Sequence, residues 1–411
     1  MDSTPVTQIA TSASGGSLAE SDRIHAATKG AKRLEFGDAL RGWAVILVVL
    51  HHSSARVVEL HPKWATFTFG GARGVQLFYV LSAYMLARSM ATRYAVERRP
   101  VAAFFVRRLF RILPLFWVAI PLHLWVYGVG SRAMLGDHPS IGWSHILGTA
   151  FLLHGFYPYW INSVVMGGWS VAVEFMFYTL MPLLWKFIRS WKHALLAVVV
   201  ALILCPLQYS FLLGRPMISD KTLWGYFVFF SLPTQLPTFL IGLLLYWVLE
   251  SLRNSSWRVP SWLITWLPWG SLAIALSTAW LPVNVPIQTY IAAVGWFGLS
   301  LGLALKPAPL LVNRLVSRIG VVSYSVYLLH PVVMGVTWGA QYRFLKTIGW
   351  NAPDWVVQAG WIFMPLVSAV LVSMVSQRWI EEPGIRLGNA LIRRWNLDGK
   401  GGGRAKLNPV R

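Results

Sequence analysis

The chain has 411 residues, of which 56% are apolar and only 12% are charged, about half the charged fraction of an ordinary soluble domain. A soluble protein of this composition would lack the polar groups needed to cover its surface, whereas a bilayer removes that requirement. The formal net charge is +21, but the cations lie between apolar segments rather than on one basic face. This pattern favours cytoplasmic loops and anionic lipid headgroups over nucleic acid.

Ten apolar stretches follow a polar N-terminal tail over residues 1–33, and each is long enough for a helix to cross about 30 Å of hydrocarbon. Their predicted limits are 38–58, 72–92, 104–128, 167–187, 193–213, 224–248, 261–281, 286–305, 318–340 and 357–379. The apolar stretch 143–160 holds two histidines and is predicted to be re-entrant or interfacial. We therefore predict an all-α, polytopic membrane helix bundle over residues 34–390, followed by a basic tail over 391–411.

Basic residues give the predicted orientation of the bundle. Seven arginines lie between Arg88 and Arg111, around the connection of the second and third spans, against the single acid Glu97. Positively charged loops stay on the cytoplasmic side of a membrane. Both termini are therefore predicted to be cytoplasmic, which agrees with an even number of spans.

Polar residues inside the first span are the first candidates for function, because an ionisable side chain within a membrane helix costs roughly 2.5–3.5 kcal/mol on insertion scales. Asp38, Arg41 and His52 fall on one helix face, with His52 about 16 Å beyond Arg41 along the axis. The arrangement predicts a cation near the cytoplasmic end and a histidine deeper in the bundle. The alternative is that Asp38 and Arg41 anchor the helix at the interface and His52 hydrogen-bonds a neighbouring helix.

Two further groups, Glu174 in the fourth span and His330 in the ninth, are predicted at a depth similar to that of His52. A carboxylate beside an imidazole forms an orienting pair for general base chemistry. Glu174 and Asp38 are therefore both candidates to support His52. The alternatives are a structural pairing of Glu174 with an arginine or tyrosine, and a packed polar kink around His330.

Three arginines at the start of the third span, Arg107, Arg108 and Arg111, cover one broad side of a helix by their spacing. Arginine matches the geometry of phosphate groups, so this side is predicted to bind an anionic cofactor; simple anchoring under the positive-inside rule is the alternative. The signatures GxxxxGK[ST], GxSxG and HExxH do not occur in the sequence, and no metal is expected.

Taken together, these stretches resemble the membrane acyltransferase-3 family, which includes bacterial O-antigen, exopolysaccharide and Nod-factor O-acetylases. The resemblance covers most of residues 34–388, and Ala83 stands where the second motif usually has glycine. The motifs, in order, are DALRGWAVILVVLHH, GARGVQLFYVLSAYMLA, RRLFRILPLFW, WSVAVEFMFY, LPTFLIG, SYSVYLLH and the terminal EEP.

The resemblance implies an O-acyltransferase of the bacterial inner membrane that moves an acyl group, expected to be acetyl, from acyl-CoA to a hydroxyl of a cell-surface or exported glycan. It implies that His52 is the catalytic base and that the arginines of the third motif face the phosphates of the donor. The expected catalytic residues are His52, Glu174, Asp38 and Arg41. The expected donor-binding residues are Arg107, Arg108, Arg111 and Tyr324, and the expected acceptor-binding residues are Trp169, Ser170 and His330.

The expected partners are acyl-CoA, a glycan acceptor and membrane lipids. A fused extracytoplasmic esterase-like domain, which some family members carry, is not expected in this chain, so it would act alone, as a homo-oligomer, or with a separate periplasmic partner. Acyl transfer to a lipid or secondary metabolite is an alternative reaction. A glycan or lipid transporter is the alternative class, but the inverted repeats common in transporters are not apparent.

Overall fold

The computed structural model describes residues 36–53, 68, 70–131, 133–255, 259–348 and 353–399. The predicted N-terminal tail and residues 400–411 of the predicted C-terminal tail lie outside the described residues. Across the described ranges the regular secondary structure is helical, and no strand occurs in them. The predicted all-α class is therefore confirmed.

Fourteen α-helices form the described part of the chain, and a short π-helix, Gln377–Glu381, joins the last two. They are α1 (36–53), α2 (Gly74–Arg93), α3 (Pro100–Tyr127), α4 (Trp143–Ala150), α5 (Gly168–Phe187), α6 (Trp191–Leu213), α7 (Lys221–Phe230), α8 (Leu232–Asn254), α9 (Ser261–Ser277), α10 (Val285–Leu305), α11 (Arg314–Val321), α12 (Ser323–Ile348), α13 (Asp354–Ser376) and α14 (Glu382–Arg394).

Among the described residues, six helical stretches are long and apolar enough to cross a membrane. They are Pro100–Tyr127, Trp191–Leu213, Lys221–Asn254, Ser261–Trp280, Val285–Leu305 and Ala359–Arg394. The pair α11 and α12, bent by 77°, makes a seventh if it is taken as one span. The chain is therefore a multi-pass membrane protein, while the predicted total of ten spans stays a prediction.

The three remaining predicted spans coincide with α1, α2 and α5. These helices do not meet the criterion of apolarity and length, and they carry several of the polar side chains that the sequence singles out, among them Arg41, His52 and Glu174. These polar side chains lower the mean hydropathy of the helices that carry them. α1, α2 and α5 are the helices on which a site can be built.

Burial divides the helices into a central and a peripheral set. The apolar windows of Lys221–Asn254 and Val285–Leu305 are 72% and 61% buried, whereas those of Trp191–Leu213 and Ser261–Trp280 are only 17% and 22% buried. Exposed apolar side chains such as Leu196 and Ile203 cover the peripheral helices, as expected for a surface in contact with lipid.

Hydrogen bonds to neighbouring segments hold α1 and α12, which carry His52 and His330. Nε1 of Trp43 in α1 donates to the carbonyl of Leu311 at 2.9 Å. The hydroxyl of Tyr324 in α12 donates to the carbonyl of Ile112 in α3 at 2.8 Å. The second bond places the N-terminal half of α12 against α3.

Two predicted boundaries can be compared with the structure. The stretch 143–160 contains α4 and a 3-10 turn, His154–Phe156, and α4 is too short to cross a bilayer, which fits a re-entrant or interfacial segment. The predicted start of the basic tail at residue 391 falls inside α14, which continues to Arg394. Leu387 in this terminal helix and Trp395 directly after it are exposed.

Candidate active site

Near the C-terminal end of α1, His52 lies against His330 of α12. Nδ1 of His52 is 2.6 Å from Nε2 of His330, and the two rings stack with centroids 4.8 Å apart. His330 has no exposed surface, so His52 faces the interior of the bundle. The two histidines therefore lie at the same level, as their positions along the first and ninth predicted spans indicate.

The backbone of α12 determines which ring nitrogens carry protons. Nδ1 of His330 is 2.6 Å from the carbonyl oxygen of Tyr327, and a carbonyl can only accept, so this nitrogen is the donor. The other nitrogen of a neutral imidazole is then an acceptor, and Nε2 of His330 accepts a hydrogen bond from Nδ1–H of His52. Nε2 of His52 keeps its lone pair, and it is the atom that can take up a proton.

A cavity of about 430 Å³ lies beside His52, and we call it the histidine cavity. Its volume falls within the range of small-molecule sites. Trp169 at the start of α5 lines it and stacks on Phe230, with ring centroids 4.1 Å apart. Polar groups also line it: His52, Arg73, Gln76, Asn162 and Gln288. The predicted acceptor residue Trp169 thus lies in the same cavity as the predicted base.

A second, smaller cavity of about 60 Å³ lies among α1, α2, α5 and α12, and we call it the arginine cavity. Among its lining residues are four of the predicted site residues, namely Arg41, Ser170, Glu174 and Tyr324. Val75 and Tyr327 line both cavities, so their side chains form the wall between the two.

A chain of hydroxyl groups holds Tyr327 in that wall. Oγ of Ser170 donates to the Tyr327 hydroxyl at 2.6 Å, and this hydroxyl donates to the carbonyl of Gly167 at 3.0 Å. Gly167 has φ of +80°, a left-handed conformation that glycine adopts without strain. Ser170, predicted to bind the acceptor, is therefore part of the wall and reaches the arginine cavity.

Glu174 lies in the arginine cavity and away from the histidine pair. Its carboxylate accepts hydrogen bonds from Ser82 and from the hydroxyl of Tyr178, the latter at 2.7 Å. It follows Ser170 by about one helical turn, or about 6 Å along α5. The predicted pairing of Glu174 with His52 is not formed; instead, Glu174 makes the structural pairing with a tyrosine that was the alternative.

Asp38 is also separated from His52. It lies 4.0 Å from Arg41, the predicted i,i+3 pair, and lines a surface groove with Arg314 and Arg318. The position beside His52 therefore belongs to His330 rather than to either carboxylate. His330 was predicted to bind the acceptor. In the structure it contacts Nδ1 of His52, the ring nitrogen other than the one that can take up a proton.

The three arginines at the start of α3 are not equivalent. Arg107 forms a bidentate ion pair with Glu97, with both N–O distances at 2.8 Å, so its charge is neutralised within the protein. The guanidinium of Arg108 lies 5.7 Å from the ring centroid of Tyr178. Nε of Arg108 is buried and has no hydrogen-bond partner in the described part of the chain.

Arg111 belongs to a charged group near the N-terminal end of α1. It is close enough to interact electrostatically with three of its charged neighbours, namely Asp38, Arg41 and Glu381. Glu381 is buried at the end of the π-helix and accepts a hydrogen bond from Ser325. Unlike Arg107, Arg108 and Arg111 form no ion pair within 4.0 Å in the described part of the chain.

Arg73 and Gln288 are cavity residues that the sequence analysis does not single out. Arg73 begins the second predicted span, at the end opposite to the arginine-rich connection. A cation there departs from the positive-inside rule, and that departure is the signal that could have identified it. Among the described residues, no group of three or more His, Cys, Asp or Glu side chains is arranged to hold a metal ion.

Comparison with known proteins places this geometry in context. A family model described as an acyltransferase domain matches residues 35–376. Nodulation protein 10 of Rhizobium leguminosarum bv. viciae is 28% identical over 382 residues, which make up 87% of this chain and 95% of that protein. No solved structure matches the chain significantly.

Among the relatives that carry a reaction in their names are two proteins that this chain matches only in part. A putative peptidoglycan O-acetyltransferase of Bacillus subtilis is 29% identical over 236 residues, 54% of this chain and 34% of that protein. The peptidoglycan O-acetyltransferase of Listeria monocytogenes serovar 1/2a is 27% identical over 177 residues, 40% of this chain and 26% of that protein.

Proposed function

We propose a reaction for this chain, which belongs to the acyltransferase family whose model it matches: transfer of an acyl group, acetyl in the first instance, from acyl-CoA to a hydroxyl of a cell-surface or exported glycan. The chain is an acyltransferase of groups other than amino-acyl groups. We propose the bacterial inner membrane as its location.

The observation that carries the proposal is the pair of cavities along α1. Arg41 lines one, His52 lines the other, and Tyr327 and Val75 separate them. Eleven residues of helix span about 16 Å, comparable to the extended pantetheine arm of CoA. A donor with its phosphates at the arginines would pass its arm between Tyr327 and Val75 and present its thioester near His52.

On the donor side, the phosphates of CoA would bind to Arg108 and Arg111, with Arg41 at the entrance of the arm. Charge-assisted hydrogen bonds from guanidinium to phosphate are among the strongest in proteins. Arg107 does not take part in this proposal, because Glu97 already engages both of its terminal nitrogens. Glu174 and Glu381 offset part of the positive charge of Arg41 and Arg111.

In the chemical step, Nε2 of His52 takes the proton from the acceptor hydroxyl while the hydroxyl oxygen attacks the thioester carbon. The C–O bond forms, the C–S bond breaks, and the CoA thiolate leaves and recovers the proton from the imidazolium. Throughout this step, Nδ1–H of His52 continues to donate its hydrogen bond to Nε2 of His330. General base catalysis of this kind contributes roughly 10²–10⁴-fold.

On the acceptor side, the histidine cavity has an aromatic wall and several amide groups. The stacked rings of Trp169 and Phe230 form the apolar face, and Gln76 and Asn162 supply amide groups. A few placed polar groups on an apolar wall are typical of ligand sites. A sugar, which has an apolar C–H face and polar hydroxyls, has matching chemistry.

The test uses the purified full chain in lipid nanodiscs with [14C]acetyl-CoA and two acceptor fractions, a surface-glycan extract and a lipid extract. The proposal predicts label in the glycan fraction that alkali releases as acetate. Label confined to the lipid fraction would support the alternative acceptor class. Absence of transfer to any acceptor, with the donor left intact, would overturn the assignment of acyl-CoA as donor.

A further inference from the structure

Arg73 is a cation of the histidine cavity that the acyl-transfer chemistry does not use. It ends the 3-10 turn Gly70–Arg73 that leads into α2, and only 7% of its surface is exposed. A charge buried in a membrane protein is costly unless it is compensated, and it is therefore a candidate functional group.

Among the described residues, the side chain of Arg73 donates hydrogen bonds only to neutral partners. Nη1 donates to the hydroxyl of Thr289 at 3.0 Å, and Nη2 donates to Oε1 of Gln288. Gln288 is oriented in turn, because its amide nitrogen donates to the carbonyls of Leu281 and Val283 at 3.0 and 3.1 Å. A guanidinium has five N–H donors, so these bonds fix the group while leaving its charge uncompensated.

The rest of the cavity adds no negative charge. Of the described residues, no Asp or Glu lines the histidine cavity, and none forms an ion pair with Arg73. The titratable groups that line it besides Arg73 are His51, His52, Tyr226 and Tyr327. Gly167 and Val285 place the first turns of α5 and α10 at the cavity, and helix N-termini favour anions.

The position of Arg73 places it on the acceptor side. The turn that carries it packs on α1, since a Cβ at Gly71 would fall 2.2 Å from the carbonyl oxygen of Leu47 and 3.1 Å from the nitrogen of His51. Arg73 and His52 both line the histidine cavity and neither lines the arginine cavity. A donor whose phosphates remain at Arg108 and Arg111 does not bring them to Arg73, because neither of these arginines lines the histidine cavity.

We propose that Arg73 binds an anionic group of the acceptor, a carboxylate or phosphate near the hydroxyl that His52 deprotonates, so that the preferred acceptor is an acidic saccharide. The inference rests on the proposed acyl transfer and deepens it. A permanently charged acceptor group compensates the guanidinium in the bound state and aligns the hydroxyl with Nε2 of His52. Arginine is well suited to this role, because it binds carboxylate and phosphate in a bidentate manner.

The test compares matched sugars that differ by one charge: glucose with glucuronate, galactose with galacturonate, and mannose with mannuronate. For wild-type protein in nanodiscs with labelled acetyl-CoA, the acid of at least one pair should have a KM about tenfold or more below that of its neutral partner. Arg73→Gln should abolish this difference by raising the KM for the acid. Arg253→Gln, which removes an exposed cation paired with Glu250, controls for net charge.

Two outcomes of the kinetic test would overturn the inference. One is a wild-type protein that does not distinguish acid from neutral sugar in any pair. The other is an Arg73→Gln protein whose kcat falls equally on both members of a pair, because that result would place Arg73 at the reacting carbonyl. In either case, if the protein still transfers acetyl groups to neutral sugars, the proposed acyl transfer itself is unaffected.

A second variant and a second readout keep the test decisive if Arg73→Gln does not fold or if no sugar of the panel is acylated. Gln288→Glu gives Arg73 a carboxylate partner inside the protein and should likewise remove the preference for acids. Thermal unfolding needs no turnover: glucuronate should raise the melting temperature of wild-type protein more than glucose does, and Gln288→Glu should cancel the difference. Equal shifts for the two sugars in wild-type protein would overturn the proposal.

Discussion

His52 and His330 share one hydrogen bond of 2.6 Å, and the carbonyl of Tyr327 determines its direction. The arrangement resembles an acid–base pair in which a second imidazole stands where a carboxylate often does. Burying an unpaired carboxylate at this depth would be costly, whereas a neutral imidazole that donates to the backbone needs no counter-charge. The lone pair on Nε2 of His330 can still stabilise the imidazolium that forms on His52.

Substitutions at His330 test this orientation. His330→Ala removes the acceptor for Nδ1–H of His52, and we expect kcat to fall about 10²-fold, with the KM for the donor nearly unchanged. Gln places its amide group near the position of Nε2 of the histidine, whereas Asn places it near Nδ1. Single-turnover transfer should therefore recover in His330→Gln more than in His330→Asn. Better recovery with Asn, or full activity with Ala, would contradict the assignment.

The arginines of α3 should separate into a donor-binding and a structural group. Arg108→Ala should weaken binding of CoA about tenfold or more, since hydrogen bonds to charged groups are worth about 1.5–3 kcal/mol. Arg107→Ala should lower the melting temperature and leave CoA affinity close to that of wild type, and Glu97→Gln should behave in the same way. Isothermal titration with CoA and thermal unfolding of the same samples distinguish the two. If Arg107→Ala weakens CoA binding and Arg108→Ala does not, the phosphates bind at Arg107 instead.

Glu174 should affect the donor rather than the acceptor, because it lines the arginine cavity. Glu174→Ala leaves the hydroxyls of Ser82 and Tyr178 without their acceptor, which should destabilise the fold by about 1–3 kcal/mol. It also disturbs the charge balance beside Arg41, so the KM for the donor should change while the KM for the acceptor remains. Steady-state kinetics with each substrate varied in turn provide the measurement. A change confined to the acceptor would place Glu174 on the other side of the wall.

Tyr327 should control the coupling between donor and acceptor, since it forms the wall between the cavities. Tyr327→Phe removes the hydrogen bonds to Ser170 and Gly167 and should cost about 1 kcal/mol of stability, with transfer retained. Tyr327→Ala opens the wall and should admit water, which raises hydrolysis of acetyl-CoA relative to transfer. The ratio of free acetate to transferred acetyl group gives the result directly. An unchanged ratio in Tyr327→Ala would mean that the wall lies elsewhere.

Much of the fold follows from the sequence, because hydropathy and helical period act locally. In their described parts, eight of the ten predicted spans each lie mainly on one helix, while 224–248 is divided between α7 and α8 and 318–340 between α11 and α12. The Asp38–Arg41 pair and the inward direction of His52 follow from the period of one helix. The break between α7 and α8, inside the sixth predicted span, was not predicted from the sequence. Ser231 has an extended backbone there, with φ −65° and ψ 151°, and caps the helix that begins at Leu232.

The partner of His52 could not be identified from the sequence. Helix geometry gives the depth and face of a side chain but not its neighbour in space. Glu174 and Asp38 were the predicted partners, whereas His330 was predicted only to lie at the depth of His52 and to bind the acceptor. The ion pair of Arg107 with Glu97 closes a connection between two helices and depends on how that connection turns. Such choices are made by tertiary packing, to which local patterns do not extend.

The most direct test of the central claim measures single-turnover acetyl transfer by purified wild-type protein and by His52→Ala, with exposed His193→Ala as a matched histidine control. If Nε2 of His52 is the general base, His52→Ala should lower the rate of transfer roughly 10²–10⁴-fold, while CoA binding and the melting temperature stay close to those of wild type. His193→Ala should transfer at the wild-type rate. A folded, CoA-binding His52→Ala protein with undiminished transfer would contradict the account.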